Sequence, residues 1–147
     1  MQAPEADLAL LIEAARVAGP IALRHFRSDP KVWDKADGAG PVSEADLEVD
    51  AALAEVLRAA RPDYGWLSEE TPDDADRLSR DRIFLVDPID GTRAFIEGTS
   101  AFSHALAVVE RGQVIAAVVF LPAQDRLYAA ATGQGATLNG APTVSYT

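Results

Sequence analysis

The spacing of apolar residues changes once along this chain, near Pro62, and that change limits the folds open to it. Before Pro62, apolar residues recur at the spacing of amphipathic helices, whereas after it they form short runs separated by turn residues, as strands do. Helices that come first and strands that follow predict an α+β fold, in which two long N-terminal helices pack on an antiparallel β-sheet.

Two amphipathic helices are predicted, over residues 6–26 and from Ser43 to Arg61. The segment Ser43-Glu44-Ala45-Asp46 is typical of a helix N-terminus, because an acidic residue stands three positions after a capping serine. The residues predicted to face the core are Leu8, Leu11, Ile12, Ala15, Ala18, Ala22 and Phe26 in the first helix and Leu47, Ala51, Ala54 and Leu57 in the second.

Short apolar runs after the helices predict strands. They lie at residues 64–67, 83–86, 103–109, 114–121 and 127–131, with a further strand at 143–147. The turn Glu110-Arg111-Gly112-Gln113 joins two of these runs and indicates a hairpin.

Residue counts limit the chemistry of the chain. Its 147 residues include no cysteine and only two histidines, so disulfides and thiolate metal sites are excluded and a histidine-rich zinc site is not expected. Any bound metal would therefore meet oxygen ligands, which suit hard cations such as Mg²⁺, Ca²⁺ or Mn²⁺. The 23 acidic and 13 basic residues give a net charge of −10, which argues against a nucleic-acid-binding surface.

No membrane partner or secretory leader is expected from the sequence. No apolar run approaches the length of a membrane-spanning helix, and the N-terminal segment is acidic where a leader would be basic. The sequence therefore predicts a cytoplasmic protein.

Carboxylates follow directly after several predicted elements. In the run IFLVDPIDGTRAFIEGT, residues 83–99, a buried strand ends in Asp87 and Asp90, and Glu69-Glu70 follows the preceding strand. If the two strands are neighbours, Glu69 and Asp87 leave the sheet together, and carboxylates crowded in this way repel unless a cation neutralises them. A polar turn built on proline and glycine, or a calcium-binding turn in a structural domain, would also account for these acids.

Gly91 and Thr92 add features of an anion site beside the acids. Glycine lets the backbone approach a ligand closely, and a short helix over residues 92–96 would direct free N–H groups at an anion such as phosphate. A cation on one side and a helix N-terminus on the other would form a cradle for a phosphoryl group. His25 in the first helix and His104 in a nearby strand are assigned packing or surface roles.

Three segments, in order and spacing, resemble the inositol monophosphatase family of magnesium-dependent, lithium-sensitive phosphomonoesterases. They are Val42-Ser43-Glu44-Ala45-Asp46, Glu69-Glu70 and Asp87-Pro88-Ile89-Asp90-Gly91-Thr92. The resemblance covers nearly the whole chain. It implies the N-terminal half of the sugar-phosphatase fold, which fructose bisphosphatase and inositol monophosphatase share. The run of residues 92–98 resembles the family's bisphosphate-nucleotidase and histidinol-phosphatase branches, the former slightly more.

The resemblance also implies a role for each matched residue. The ligands of two or three Mg²⁺ ions in a complete site would be Glu69, Asp87, Ile89 (through its carbonyl) and Asp90. The catalytic residues, which position and activate water, would be Asp46, Thr92 and Glu69. The substrate phosphate would be bound by Asp90, Gly91 and Thr92, and further candidates at the site are Glu70, Lys35 and Arg93.

The chain departs from the family pattern in one respect. Family members carry a Trp-Asp motif in a second half that completes the metal site, whereas Trp33-Asp34 precedes the first motif here and cannot be its equivalent. Residues 1–147 are therefore expected to form an N-terminal metal-binding α+β domain without the C-terminal substrate domain. We expect this half alone to show little or no turnover, and a full-length protein to form a homodimer.

The implied reaction is the hydrolysis of a phosphate monoester of a small phosphorylated metabolite by a metal-activated water. A 3'(2'),5'-bisphosphate nucleotide or an inositol monophosphate is the leading substrate, and histidinol phosphate is the alternative within the family. The alternative of another class is a non-catalytic, metal-binding or regulatory phosphatase-like module.

Overall fold

The computed structural model describes residues 2–143. The helices are α1 (Pro4–His25), α2 (Glu44–Ala60) and the short α3 (Thr92–Glu97). The strands are β1 (Val32–Asp34), β2 (Pro41–Ser43), β3 (Gly65–Ser68), β4 (Arg82–Asp90), β5 (Ser103–Glu110), β6 (Gln113–Leu121), β7 (Arg126–Ala131), β8 (Gly135–Leu138) and β9 (Ala141–Pro142). The strand predicted at 143–147 falls, apart from Thr143, outside the described residues. None of the described helices combines the length and the apolar composition of a membrane span.

Seven strands form one sheet in the order β3-β4-β5-β6-β7-β8-β9. Every neighbouring pair is antiparallel except β3 and β4, which run parallel at one edge. The two long helices pack against this sheet through a shared core, so the predicted α+β class is confirmed. β1 and β2 form a separate antiparallel pair, in a segment for which the sequence predicted no strand pairing.

Small side chains let α1 lie close to the sheet. The apolar face predicted for this helix is confirmed at Leu11, Ala15, Ala18 and Ala22, all of which are fully buried. Gly19 is buried with them, and a Cβ at this position would stand 2.8 Å from Cε2 of Phe120 on β6. Any larger residue would therefore displace the Phe120 ring or push the helix away from the sheet.

The capping box predicted for α2 is confirmed, but its predicted apolar stripe is wrong at two positions. Ser43 accepts from the Asp46 backbone N–H, and the Asp46 side chain accepts from the Ser43 N–H. Leu47 and Ala51, which the pattern assigned to the core, are exposed. The buried face instead carries Ala45, Asp46, Val49, Asp50, Leu53 and Leu57. The buried face includes the carboxylates Asp46 and Asp50. A prediction based on apolar residues alone therefore selected an adjacent face of the helix.

A buried ionic cluster ties the first turn of α1 to the start of β4. Asp7 is fully buried, although it is not among the residues predicted to face the core in the first helix. Its carboxylate accepts hydrogen bonds from Tyr64 Oη at 2.8 Å, Arg82 Nη1 at 2.8 Å and Arg61 Nε at 3.1 Å. Arg82 also donates to Glu110 Oε2 at 2.8 Å, so each buried charge has a partner of opposite sign.

The face of the sheet opposite the helices is apolar and open. Its side chains are only partly covered; they include Leu67, Leu85, Ala105, Ala107, Ala117, Val119 and Tyr128. Leu85 is 42% exposed and Val119 is 39% exposed. A groove along this face reaches Glu69 and Asp87. An apolar surface of this kind is typical of one that another layer of protein covers.

Candidate metal and phosphate site

The parallel pairing of β3 with β4 brings the first two acids together. Leu67 is paired with Leu85 and Ser68 with Val86, so the next residue of each strand is Glu69 and Asp87. The Glu69 N–H donates to the Val86 carbonyl at 3.2 Å, which continues the ladder to the point where the acids leave it. The neighbour relation on which the sequence-based prediction depended is therefore confirmed.

A bulge at the end of β4 places Asp90 near Asp87. Asp87 is paired with Ala105 and Asp90 with Ser103, so three steps along β4 match two along β5. Alternate residues of a strand share a face, and the extra residue of a bulge re-aims the side chains that follow it. Residues three apart, which a regular strand would direct to opposite faces, therefore reach the same side here.

Gly91 turns the chain from β4 into α3. Its φ of 90° lies in the left-handed region, which glycine adopts without steric cost. A Cβ at this position would stand 3.0 Å from the Ala101 carbonyl, so the space is also closed to larger residues. α3 then begins at Thr92, as predicted, and ends at Glu97, one residue later than predicted.

Asp46 and Thr92, assigned as a catalytic pair from the motifs, are in direct contact. Thr92 Oγ1 lies 2.9 Å from Asp46 Oδ1, and the other carboxylate oxygen of Asp46 accepts from the Ser43 N–H at 2.9 Å and Ser43 Oγ at 2.6 Å. Asp46 is fully buried. Since the Thr92 proton is directed at this carboxylate, the free lone pairs of Oγ1 are available to accept from a water.

Of the three further candidates, Lys35 and Glu70 lie at the site. Lys35 Nζ is 3.0 Å from Glu70 Oε1 and 3.3 Å from Glu69 Oε1. The Glu70 side chain is 5% exposed. Burial raises the pKa of Glu70 against the opposing effect of Lys35, and the charges of Asp46 and Glu69 add to the rise. Arg93 is exposed, and its side chain makes no hydrogen bond or ion pair with residues 2–143.

Asp87 is the carboxylate of the site whose ionised form is most disfavoured by its surroundings. Burial and the adjacent carboxylate of Glu69, together with the charges of Asp90 and Glu70, raise the pKa of Asp87 to about 7. Its Oδ1 is buried without a hydrogen-bond partner among the described residues. Two ionised carboxylates can only repel, so either a proton or a cation must relieve Asp87 near neutral pH.

We expect the raised pKa of Asp87 to make the metal-free chain less stable as pH rises. Between the ordinary value of 3.8 and about 7, the folded state binds a proton that the unfolded state has released, so the free energy of unfolding falls across this window. Urea denaturation at several pH values measures how steeply the free energy of unfolding falls with pH. Asp87→Asn should flatten this dependence, whereas Asp125→Asn, an exposed control of the same charge change, should not. Equal slopes in both variants would contradict the prediction.

The donor set fits a hard divalent cation. Glu69, Asp87 and Asp90 supply carboxylate oxygens, the Ile89 carbonyl is adjacent, and the unpartnered oxygen of Asp87 is available to a ligand. Within residues 2–143, no group of three acidic or histidine side chains is arranged so that it could hold a metal ion by itself. The site is thus a convergence of oxygen donors, open on the side of the exposed Glu69 side chain.

Asp50 is a residue of the site that the sequence-based prediction missed. Its two carboxylate oxygens accept from Ser68 Oγ at 2.5 Å and Thr71 Oγ1 at 2.6 Å, on either side of the Glu69-Glu70 pair. Ser68 Oγ in turn accepts from the Glu70 N–H at 3.2 Å. Asp50 follows Asp46 by one helical turn and so shares its face, which is the signal that would have identified it.

Comparisons with known proteins find similar sequences. The sequence model of the inositol monophosphatase family matches residues 4–146. The chain is 36% identical over 137 residues to the histidinol-phosphatase of Chlorobaculum parvum, covering 92% of this chain and 52% of that protein. It is 37% identical over 138 residues to the inositol-1-monophosphatase of Rhizobium meliloti, covering 93% of this chain and 52% of that protein.

A solved structure shows the same fold. The IMPase of Thermotoga maritima superposes with a TM-score of 0.87 at 31% identity, covering 95% of this chain and 54% of that structure. The chain therefore spans about half the length of the relatives it matches.

Proposed function

The chain belongs to the inositol monophosphatase family, and on that premise we propose that it forms the metal- and phosphate-binding half of a Mg²⁺-dependent phosphatase. The contact that carries the proposal is the 2.9 Å hydrogen bond from Thr92 to the buried Asp46, beside the carboxylates of Glu69, Asp87 and Asp90. Its substrate class is a phosphate monoester of a small metabolite.

Different groups of the site would bind the attacking water and the substrate phosphate. Thr92 Oγ1, whose proton is directed at Asp46, accepts a hydrogen bond from the attacking water and orients it. The backbone N–H groups of Gly91 and Thr92, at the start of α3, would donate to a phosphate oxygen. Mg²⁺ held by Glu69, Asp87, Asp90 and the Ile89 carbonyl would supply charge stabilisation at the phosphate.

The relatives support two metabolites about equally. The histidinol-phosphatase and the inositol-1-monophosphatase match the chain at 36% and 37% identity, which supports histidinol phosphate and inositol monophosphate as substrates. A bisphosphate nucleotide as the substrate is supported only by the resemblance of residues 92–98 to the bisphosphate-nucleotidase branch. The reaction class is accordingly better supported than the metabolite.

Calorimetry with Mg²⁺, Ca²⁺ and inorganic phosphate tests the proposal on the chain itself. We expect Mg²⁺ to bind weakly, and phosphate to bind more tightly once Mg²⁺ is present, because the cation offsets the repulsion between carboxylates and phosphate. Tight Ca²⁺ binding that phosphate leaves unchanged would favour a structural calcium-binding turn. An absence of any Mg²⁺ binding would overturn the proposal.

A further inference from the structure

His104 is a buried histidine beside the site to which the proposed chemistry assigns no role. It lies near the start of β5 with a relative exposure of 0%. In the strand register it stands between Ser103, opposite Asp90, and Ala105, opposite Asp87. It therefore lies across from the bulge that contains Pro88 and Ile89.

The His104 side chain makes one hydrogen bond with the described residues, and its acceptor is the backbone of the bulge. Nδ1 lies 2.5 Å from the Pro88 carbonyl oxygen, and because a carbonyl only accepts, Nδ1 carries the proton. Nε2 is then an acceptor, and it is buried without a partner in the described part of the chain. Burial lowers the pKa of His104, which keeps the ring neutral. The buried ring of His104 therefore makes its hydrogen bond through Nδ1, while Nε2 has no partner among the described residues.

The Pro88 carbonyl is a sensitive point of the bulge. It belongs to the planar peptide that joins Pro88 to Ile89, so its direction sets the course of the chain between Asp87 and Asp90. On the next peptide, the Ile89 carbonyl lies 3.2 Å from Thr92 Oγ1. Since the single hydroxyl proton of Thr92 is directed at Asp46, it does not bond the Ile89 carbonyl as well, and the side-chain hydrogen bond to this part of the bulge comes from His104 on β5.

We infer that His104 is a positioning residue whose Nδ1–H holds the Pro88 carbonyl, so that the bulge presents Asp87 and Asp90 to one cation. The inference rests on the proposed function, since it requires a cation at these carboxylates. An apolar side chain would fill the same space without making the bond.

Leucine and asparagine separate the bond from the packing. The two side chains have nearly the same shape, and only asparagine carries an N–H close to the position of Nδ1. We expect His104→Asn to bind Mn²⁺ within about threefold of the unchanged chain, and His104→Leu to bind it about 10- to 100-fold more weakly. Electron paramagnetic resonance of added Mn²⁺ measures the affinities. Thermal unfolding without metal, run in parallel, should shift similarly in both variants, because both lose the same ring volume.

Each outcome separates the inference from the proposed function. If His104→Leu binds Mn²⁺ as the unchanged chain does, or both variants lose affinity equally, the positioning role is overturned while the metal site stands. If the unchanged chain binds no Mn²⁺, the proposed function fails and the inference fails with it. The ¹⁵N spectrum of the metal-free chain tests the bond independently: protonation of Nδ1 is expected, and protonation of Nε2 alone would overturn it.

Discussion

Asp7→Ala should lower the free energy of unfolding by about 3–5 kcal/mol, the usual effect of breaking a buried ion pair from one side. Asp7 is fully buried and accepts from Arg82, Arg61 and Tyr64. Without it, the guanidinium of Arg82, which is 7% exposed, would keep only part of its compensation. Urea denaturation monitored by circular dichroism measures the loss.

Glu5→Ala is the matched control for Asp7→Ala. Glu5 lies in the same first turn of α1 but is exposed, so its removal should have a much smaller effect. A double variant, Asp7→Ala with Arg82→Met, should be less destabilised than the sum of the two single variants, because neither charge is then left alone in the core. Losses of equal size for Asp7→Ala and Glu5→Ala would contradict a structural role for the cluster.

Asp87→Asn should weaken Mg²⁺ binding by at least about 100-fold, beyond the effect usual for residues that only support a ligand. The reason is that Asp87 carries a buried oxygen without a partner among the described residues and interacts with the carboxylate of Glu69. Because the pKa of Asp87 is raised to about 7, Mg²⁺ binding near neutral pH should also release a proton, and the variant should release less. Calorimetry in two buffers with different ionisation enthalpies measures both quantities.

Asp125→Asn serves as the control for metal binding. It removes the same charge from an exposed turn and keeps a residue that tolerates the left-handed backbone found at Asp125. Its Mg²⁺ affinity should stay close to that of the unchanged chain. Comparable losses of Mg²⁺ affinity in the two variants would mean that binding depends only on net charge. The assignment of Asp87 as a ligand would then be wrong.

Local patterns predicted most of the secondary structure. The change from helical to strand spacing, the capping box at Ser43 and the hairpin turn at residues 110–113 are all confirmed. Each depends on interactions between residues close in sequence, such as a cap or a tight turn, which is why the pattern carries them.

The errors about burial share a physical cause. The pattern method assigns buried positions to apolar residues, and it therefore missed Asp7, Asp46 and Asp50, which are buried because distant residues satisfy their hydrogen bonds. The same bias turned the predicted face of α2 toward Leu47, which is exposed. The pairing of β1 with β2 was missed because strands this short give almost no periodic signal.

The sequence by itself determined the chemistry of the candidate site: an oxygen-rich set of acids, a glycine turn and a threonine, in the order and spacing of a known family. The sequence determines this chemistry because the residues of a motif are defined by their functional groups. Only the tertiary structure decided that these groups meet. Glu69 and Asp87 are adjacent because β3 runs parallel to β4; an antiparallel pair would have placed them at opposite ends of the two strands. Strand direction depends on the packing of the whole sheet against α1 and α2, and no local pattern encodes it.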